Sequence, residues 1–357
     1  MAAPTVVTYS PAMTLVPTYE CFNRCQYCNF RTDPGQAPWL SLEAARQQLC
    51  RARDQGAIEA LILSGEVHPA SPRRRAWVEH LYALATLALE LDLLPHTNAG
   101  PLDYGEMAYL RSVNVSMGLM VEQVTPRLMA GVHRHAPSKV PQVRLQQLDQ
   151  AGQLRIPFTT GVLLGIGETA AERRETLRAI AHSHHRWGHI QEVILQPHQP
   201  GHRQAAALSP FTIEELLTVV AEARTLLPAD IVIQIPPNLL QGETSLPQAL
   251  ALGARDLGGL GPTDEVNPDY PHPTPAQIST LLAGTPWQLQ PRLPLYPAYD
   301  AWLPPPLQAR VAHWRSRLCA QASSPIGAIA PSKMPNITSV RDKSIEEMLW
   351  RSTPQHQ

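Results

Sequence analysis

Cys21, Cys25 and Cys28 stand together near the start of the chain in the string Cys-Phe-Asn-Arg-Cys-Gln-Tyr-Cys, with Tyr27 just before the last of them. Three thiolates on one short loop can anchor three irons of a cubane cluster and leave the fourth iron without a protein ligand. An iron–sulfur cluster ordinarily takes four cysteines, so the missing one implies a coordination position open to something else. A structural zinc knot is the competing reading, and it needs a fourth Cys or His. Cys50 is the nearest further cysteine, but it lies in a helical stretch with no second cysteine beside it. Cys50 and Cys319 read as buried thiols.

Other strings could meet a small molecule at such a site. In Ser64-Gly65-Glu66 the glycine lets backbone approach a ligand, and the carboxylate matches an ammonium group. Gly165-Ile166-Gly167-Glu168 ends another apolar run, where two glycines would also suit any turn from strand to helix. Arg144 lies in a helical stretch, whose arginines are ordinarily solvated. The run His182-Ser183-His184-His185-Arg186-Trp187-Gly188-His189 reads as a helix end meeting solvent rather than a metal site.

The elements that must position these residues alternate at βα spacing. Short apolar runs at 14–17, 60–63, 93–97, 113–119, 158–164, 190–196, 231–235 and 256–260 read as strands. Amphipathic stretches between them read as helices, the first running from Ser41 to a stop at Gly56. Asp103 is a cap, and Thr169 with Glu172 and Thr212 with Glu215 spell capping boxes. Such a series predicts an α/β fold, a parallel (β/α) barrel of TIM type rather than an open doubly wound sheet. In that architecture chemistry collects on the loops after the strands, where the cysteine loop, Ser64-Gly65-Glu66 and Gly165-Ile166-Gly167-Glu168 lie. The barrel is expected over 1–291. A C-terminal helical extension follows over 292–321, with Pro304-Pro305-Pro306 breaking the chain before a helix at 307–319, and 322–357 reads as a poorly ordered polar tail.

Composition narrows the class. The chain has 357 residues, 44% of them apolar, and a net charge of −1, as in soluble globular proteins. Near-neutral charge argues against a nucleic-acid partner held through phosphates. Lysine occurs only at Lys139, Lys333 and Lys343, which reads as compositional bias. Five cysteines, three of them clustered, do not suggest a disulfide framework, and thiolates awaiting a metal need a reducing compartment. No signal peptide and no apolar run near the ~18 residues of a membrane span are evident. A cytoplasmic location without membrane association is expected.

The C-x3-C-x2-C spacing resembles the radical S-adenosylmethionine (SAM) superfamily, in which the amino and carboxylate groups of SAM chelate the open iron of a 4Fe–4S cluster. That resemblance implies that Cys21, Cys25 and Cys28 ligate the cluster, and that Ser64, Gly65 and Glu66 meet the SAM amino group. The stretch from Arg144 through Gly161 to Thr169 resembles the biotin-synthase-like branch. It implies an Arg144 partner for the SAM carboxylate and an adenosine lying against Gly165, Gly167 and Glu168. Tyr27 belongs to the same cofactor-binding set, and Glu122, after the fourth strand, is placed to reach a ribose hydroxyl.

Longer strings are more specific: 7–10, 29–31, 116–120, 159–169, 188–193, 234–239 and 256–260. Together they resemble the 7,8-didemethyl-8-hydroxy-5-deazariboflavin synthase family, over roughly Val7 to Pro291, and its ring-closing subunit in particular. The resemblance implies a substrate that joins a tyrosine-derived hydroxybenzyl group to a ribityl-aminouracil. SAM then yields a 5′-deoxyadenosyl radical that takes a hydrogen from this adduct, the phenol ring closes onto the ribityl nitrogen, and ammonia leaves. With one cysteine motif, the chain is expected to receive the adduct from a separate tyrosine-coupling radical SAM subunit, with which it could form a complex. Its electron would come from a donor such as ferredoxin or flavodoxin. A sibling enzyme of the same branch, such as the coupling subunit or a menaquinone-pathway synthase, and a non-catalytic metal-binding protein stay open. Thr159, Thr160, Gln196 and Asn238, at strand ends, are candidates for substrate contact.

Overall fold

Which way the strand side chains point decides the architecture. In the computed structural model, which describes residues 5–240, 242 and 244–322, β2 (Glu59–Leu63) turns Ala60 and Ile62 outward into the apolar core. β5 (Phe158–Leu164) does the same with Val162 and Leu164. The alternate residues face the other side, and among them are Glu59, His96, Ser116, Glu192 and Asp256, all buried. A sheet with an apolar outer face and a polar inner face is satisfied by closing on itself under a ring of helices.

It closes as a parallel barrel. β1 (Thr5–Leu15), β2, β3 (Leu94–Asn98), β4 (Ser116–Gly118), β5, β6 (Ile190–Pro197), β7 (Val232–Gln234) and β8 (Ala254–Leu260) pair in chain order, and β1 completes the ring between β8 and β2. The helices between strands are α1 (Leu42–Asp54), α2 (Arg74–Glu90), α3 (Tyr104–Arg111), α4 (Pro141–Gln153), α5 (Ala170–Trp187), α6 (Ile213–Leu226) and α7 (Ser245–Ala251). Asp103, Thr169 and Thr212 each accept from the amide of Glu106, Glu172 and Glu215, whose side chains return the contact, so all three form capping boxes. No helix among the described residues is long and apolar enough to cross a membrane.

Several elements differ from expectation. β1 begins at Thr5, not near Thr14, because its inward residues are polar or small and Pro11 interrupts the pattern. Of the fourth apolar run only Ser116–Gly118 pairs as strand. His184 and His189 are buried rather than solvated. His184 Nδ1 accepts the Ile190 amide at 3.1 Å and its Nε2 lies 3.1 Å from Asp230, stapling the end of α5 to the start of β6. Cys319 is exposed and Cys50 only half-buried, so neither is a core thiol.

Past β8 come α8 (Pro275–Leu281), β9 (Trp287–Pro291) and α9 (Pro305–Ala322). Pro305 and Pro306 open α9 rather than break the chain, since a first helical turn has no use for their missing N–H groups. The expected poorly ordered tail lies, from residue 323 onward, outside the described residues. β9 pairs in parallel with Thr5–Tyr9 at the start of β1, and the chain then passes beneath the barrel. Arg292 donates to both oxygens of Asp256, at 2.6 and 2.7 Å, and to Glu192 at 2.9 Å. The Pro294 carbonyl accepts from Ser116 Oγ at 2.7 Å and Gln191 Nε2 at 3.0 Å. This segment is the floor of the barrel.

One guanidinium therefore serves several buried carboxylates. Burial, reinforced by Asp256 and Glu59, pushes Glu192 up to about 8 against the opposing pull of Arg292. Burial raises Glu59 as well. Replacing Arg292 with Met should cost about 3–5 kcal/mol of stability by leaving buried charge uncompensated. A carboxyl whose folded pKa lies above its unfolded value stabilises the fold below the unfolded pKa and loses that contribution as pH rises. Thermal melts of Arg292→Met should therefore fall more steeply than those of the parent between pH about 5 and 8.

Candidate active site

The loop leaving β1 is closed at its base and sewn to its neighbours, which fixes three cysteines that would otherwise lie on a long excursion. Thr32 donates its amide to the Tyr19 carbonyl at 2.8 Å, and Cys21 donates to Thr32 at 3.1 Å. The Glu20 carboxylate accepts the amides of Gly35 and Ala37 at 2.7 and 3.1 Å and an Arg73 guanidinium N–H at 2.9 Å. Inside the loop, Phe22 N–H reaches the Glu66 carbonyl (3.1 Å), Arg24 N–H that of His135 (2.7 Å) and Gln26 N–H that of Val132 (3.0 Å). Gly65 must be glycine, because a Cβ there would lie 2.2 Å from the Glu20 carbonyl oxygen. Its amide donates to Thr18 at 2.8 Å, binding the end of β2 to the end of β1.

Cys21, Cys25 and Cys28 are free, half-buried thiols. Burial raises the Cys21 thiol and pushes Cys25 up to about 12, with the Lys139 ammonium opposing it at Cys25. Such thiols yield their protons to a metal rather than to water. Among the described residues no three His, Cys, Asp or Glu side chains converge on one ion. A cubane makes no such demand, because each thiolate takes a separate iron. The donor set, three free thiols on one rigid loop, fits that group. Asn23 Nδ2 adds a contact to Cys21 Sγ at 3.7 Å.

Beside the thiols lies a buried charge network. Glu66 accepts from Asn23 Nδ2 at 2.8 Å, from Arg144 at 3.0 Å and from Ser138 Oγ. Arg144, only 1% exposed, also donates to the carbonyls of Met120 (2.7 Å) and Ser138 (3.1 Å). The two residues expected to divide a zwitterion between them thus hold each other. An ammonium-carboxylate ligand could exchange this one pair for two. Glu122 pairs with Lys139 at 2.6 Å. Burial raises its pKa, but Lys139 and Arg144 outweigh that and hold the carboxyl below its usual range. Glu122 itself sits at φ 64°, a left-handed conformation unusual for its type, which places its carboxylate between the end of β4 and that lysine.

The remaining expected residues are accounted for. Ser64 Oγ accepts from Trp77 Nε1 at 3.1 Å and donates to the Gly65 carbonyl at 2.9 Å, so it secures the turn. Glu168 spends its two oxygens on the amides of Gly165 (2.8 Å) and Ile166 (2.9 Å) and is likewise occupied with its own loop. Gly165 and Gly167 have φ of +88° and +109°, and a Cβ on Gly167 would meet nothing nearer than Leu128 at 3.7 Å. Tyr27 packs on the apolar cluster of Leu128, Val132, Leu163 and Ile166, which joins the cysteine loop to this turn. Its hydroxyl lies 3.0 Å from His133 Nε2. Burial lowers His133 to about 4 and raises Tyr27, so the phenol donates to a neutral ring. Of the strand-end residues, Thr160 donates to the Leu119 carbonyl at 2.7 Å, Asn238 donates to Asp264 and Tyr270, and Thr159 accepts from Gln191.

Asn23, His133, Ser138 and Lys139 were not singled out in the sequence. Lys139 carried a signal, as one of only three lysines in the chain, and it proves to be half-buried and paired with Glu122 near the cysteine loop.

The chain matches known proteins over most of its length. The radical SAM superfamily profile matches residues 15–180, from the end of β1 into α5. The 7,8-didemethyl-8-hydroxy-5-deazariboflavin synthase of Synechococcus elongatus is 61% identical over 319 residues, covering 89% of this chain and 95% of that protein. The synthase of Thermosynechococcus vestitus is 61% identical over 305 residues, covering 85% and 97%. Among solved structures, the FeFe-hydrogenase maturase HydG of Carboxydothermus hydrogenoformans superposes with a TM-score of 0.68 at 18% identity, covering 89% of this chain and 79% of that one. Methylornithine synthase gives 0.54 at 16%, covering 79% and 78%; both likenesses speak to the fold. Identity of that extent to the synthases, with the cysteine loop and charge network in place, means that the chain belongs to the 7,8-didemethyl-8-hydroxy-5-deazariboflavin synthase family, deazaflavin-forming enzymes of the radical SAM superfamily, whose chemistry uses a 4Fe–4S cluster and SAM.

Proposed function

We propose that this chain performs the ring-closing half of deazaflavin formation. It would convert the hydroxybenzyl–ribityluracil adduct and SAM into 7,8-didemethyl-8-hydroxy-5-deazariboflavin, 5′-deoxyadenosine, methionine and ammonium. The observation that carries the reading is the placement of three free thiols on one fixed loop beside the pair of half-buried Glu66 and buried Arg144. Cys21, Cys25 and Cys28 hold the cluster, which when bound supplies the electron for SAM cleavage. Glu66 takes the SAM ammonium and Arg144 its carboxylate, through charge-assisted hydrogen bonds stronger than neutral ones. The turn at Gly165 and Gly167 gives the adenosine a surface free of side chains, and Glu122 with Lys139 closes the ribose side. The barrel's task is to set the SAM 5′-carbon beside one substrate C–H and to keep other hydrogen donors away.

One cysteine loop implies one reaction, so a separate tyrosine-coupling subunit supplies the adduct and a ferredoxin- or flavodoxin-type protein the electron. The test is isotopic. With deuterium at the benzylic carbon of the adduct, 5′-deoxyadenosine isolated after turnover should carry the label. Unlabelled 5′-deoxyadenosine accompanying labelled deazaflavin would place the abstracted hydrogen elsewhere and overturn this assignment.

A further inference from the structure

We propose that His96 Nε2 is a hydrogen-bond acceptor for the substrate, reading an N–H or O–H of a neutral, donor-rich group held in the barrel lumen beneath the cysteine loop. The proposal rests on the ring-closing reading above.

The geometry defines the state of the imidazole. His96 pairs in register with Leu61 on one side and Ser116 on the other. Its Nδ1 lies 2.7 Å from Ser116 Oγ. That hydroxyl is itself 2.7 Å from the Pro294 carbonyl, which can only accept. The single hydroxyl proton therefore points down to Pro294, and Nδ1 must carry the proton shared with Ser116. Burial, with Arg292 nearby in the floor, lowers the ring to about 3, so it stays neutral. Nε2 is left as a bare lone pair.

Its direction follows from the neighbouring strand. A Cβ at Gly118 would lie 2.9 Å from Nε2. Gly118 stands two residues beyond Ser116, roughly 6–7 Å further toward the ends of the strands that carry the site. The ring thus spans two levels, with Nδ1 fixed to the floor and Nε2 facing the lumen beside a glycine that leaves it clear. His96 is 7% exposed, and Nε2 is not among the fully enclosed side-chain atoms that lack a partner: no hydrogen bond within the described residues engages it, and it opens on the lumen. An acceptor lone pair that faces the lumen without a protein partner is available to a donor that enters.

The surrounding inner face suits a neutral ligand. Asn98, two residues beyond His96, and Gln196 and Gln234 on β6 and β7 are half-buried, with side-chain amides that have no partner among the described residues. The charged groups Arg292, Glu192, Asp256 and Glu59 lie below, engaged with one another. Amides and one acceptor-only imidazole match a uracil-like ring with a polyol chain, which offers N–H and O–H donors and carbonyl acceptors without net charge.

The test is a binding titration of the adduct into SAM-loaded, cluster-replete protein without reductant, followed by calorimetry. His96→Asn keeps an amide N–H for Ser116 but places nothing at the upper position, whereas His96→Gln can present a carbonyl oxygen there. His96→Asn should weaken adduct binding about ten- to hundredfold and leave SAM affinity and iron content unchanged. His96→Gln should restore most of the loss. Equal adduct affinity in His96→Asn and the parent would overturn the proposal, as would a parallel loss of SAM affinity or iron, which marks a prop for the floor. If the parent itself fails to bind the adduct, the ring-closing reading falls and this assignment falls with it.

Discussion

Alanine at Cys21, Cys25 or Cys28 is expected to abolish stable cluster binding, while alanine at Cys50 or Cys319 leaves it nearly intact. Each thiolate of the loop anchors its own iron, so a single loss leaves two anchors for a cluster that already lacks a fourth protein ligand. No neighbouring group can take over: the near carboxylates, Glu66 and Glu122, are committed to Arg144 and Lys139. Cys50 lies on α1 and Cys319 on α9, away from the loop. Iron and sulfide analysis of anaerobically reconstituted protein, with the visible absorbance of the cluster, reads the outcome. If Cys50→Ala emptied the site as completely as Cys28→Ala, a four-cysteine metal knot would replace the cluster in this account.

The second large effect concerns Glu66 and Arg144, and their variants should differ from one another. Glu66→Gln keeps the shape and most of the hydrogen bonds to Asn23, Ser138 and Arg144, so the melting temperature should change little. What it loses is the charge that receives an ammonium group, and SAM affinity should drop about ten- to hundredfold. Arg144→Met removes a guanidinium that also satisfies the Met120 and Ser138 carbonyls. It strands Glu66 as a buried charge, so this variant should lose about 3–5 kcal/mol of stability as well as SAM affinity. Sequence alone suggested that both positions serve only the ligand. Their mutual ion pair adds a structural role, heavier for Arg144. Thermal melts and equilibrium SAM binding on the same preparations separate the two contributions, and unchanged SAM affinity in Glu66→Gln would remove that residue from the ligand set.

What could be read in the sequence follows from how far each signal extends along the chain. The barrel was legible because its outward strand residues form short apolar runs and its helices announce themselves with Asp103, Thr169 and Thr212 at their caps. The cysteine loop was legible because its ligands lie within one turn of chain. The start of β1 and the floor were not. β1 has Thr8 and Ser10 on its inner face, where an apolar run would need Val or Ile. The floor is made by Arg292 meeting Asp256 and Glu192 across distances in sequence that no local pattern encodes. For the same reason the structural side of Arg144, expected only at the SAM carboxylate, and the burial of His184, expected at the surface, were hidden: their partners Glu66 and Asp230 are remote in sequence. Glu168 is the local exception, its oxygens taken by the amides of Gly165 and Ile166 just before it. Lys139 was visible as a rarity, but only its contact with Glu122 gives that rarity a meaning.

The most direct measurement is an anaerobic incubation of this chain alone with reduced cluster, SAM and the hydroxybenzyl–ribityluracil adduct, watching for deazaflavin fluorescence. The account predicts 7,8-didemethyl-8-hydroxy-5-deazariboflavin with one 5′-deoxyadenosine per product, and no deazaflavin when tyrosine and the free aminouracil replace the adduct. Deazaflavin made from tyrosine and aminouracil by this chain alone would contradict the division of labour. Inertness toward the adduct by protein that still cleaves SAM would contradict the ring-closing assignment itself.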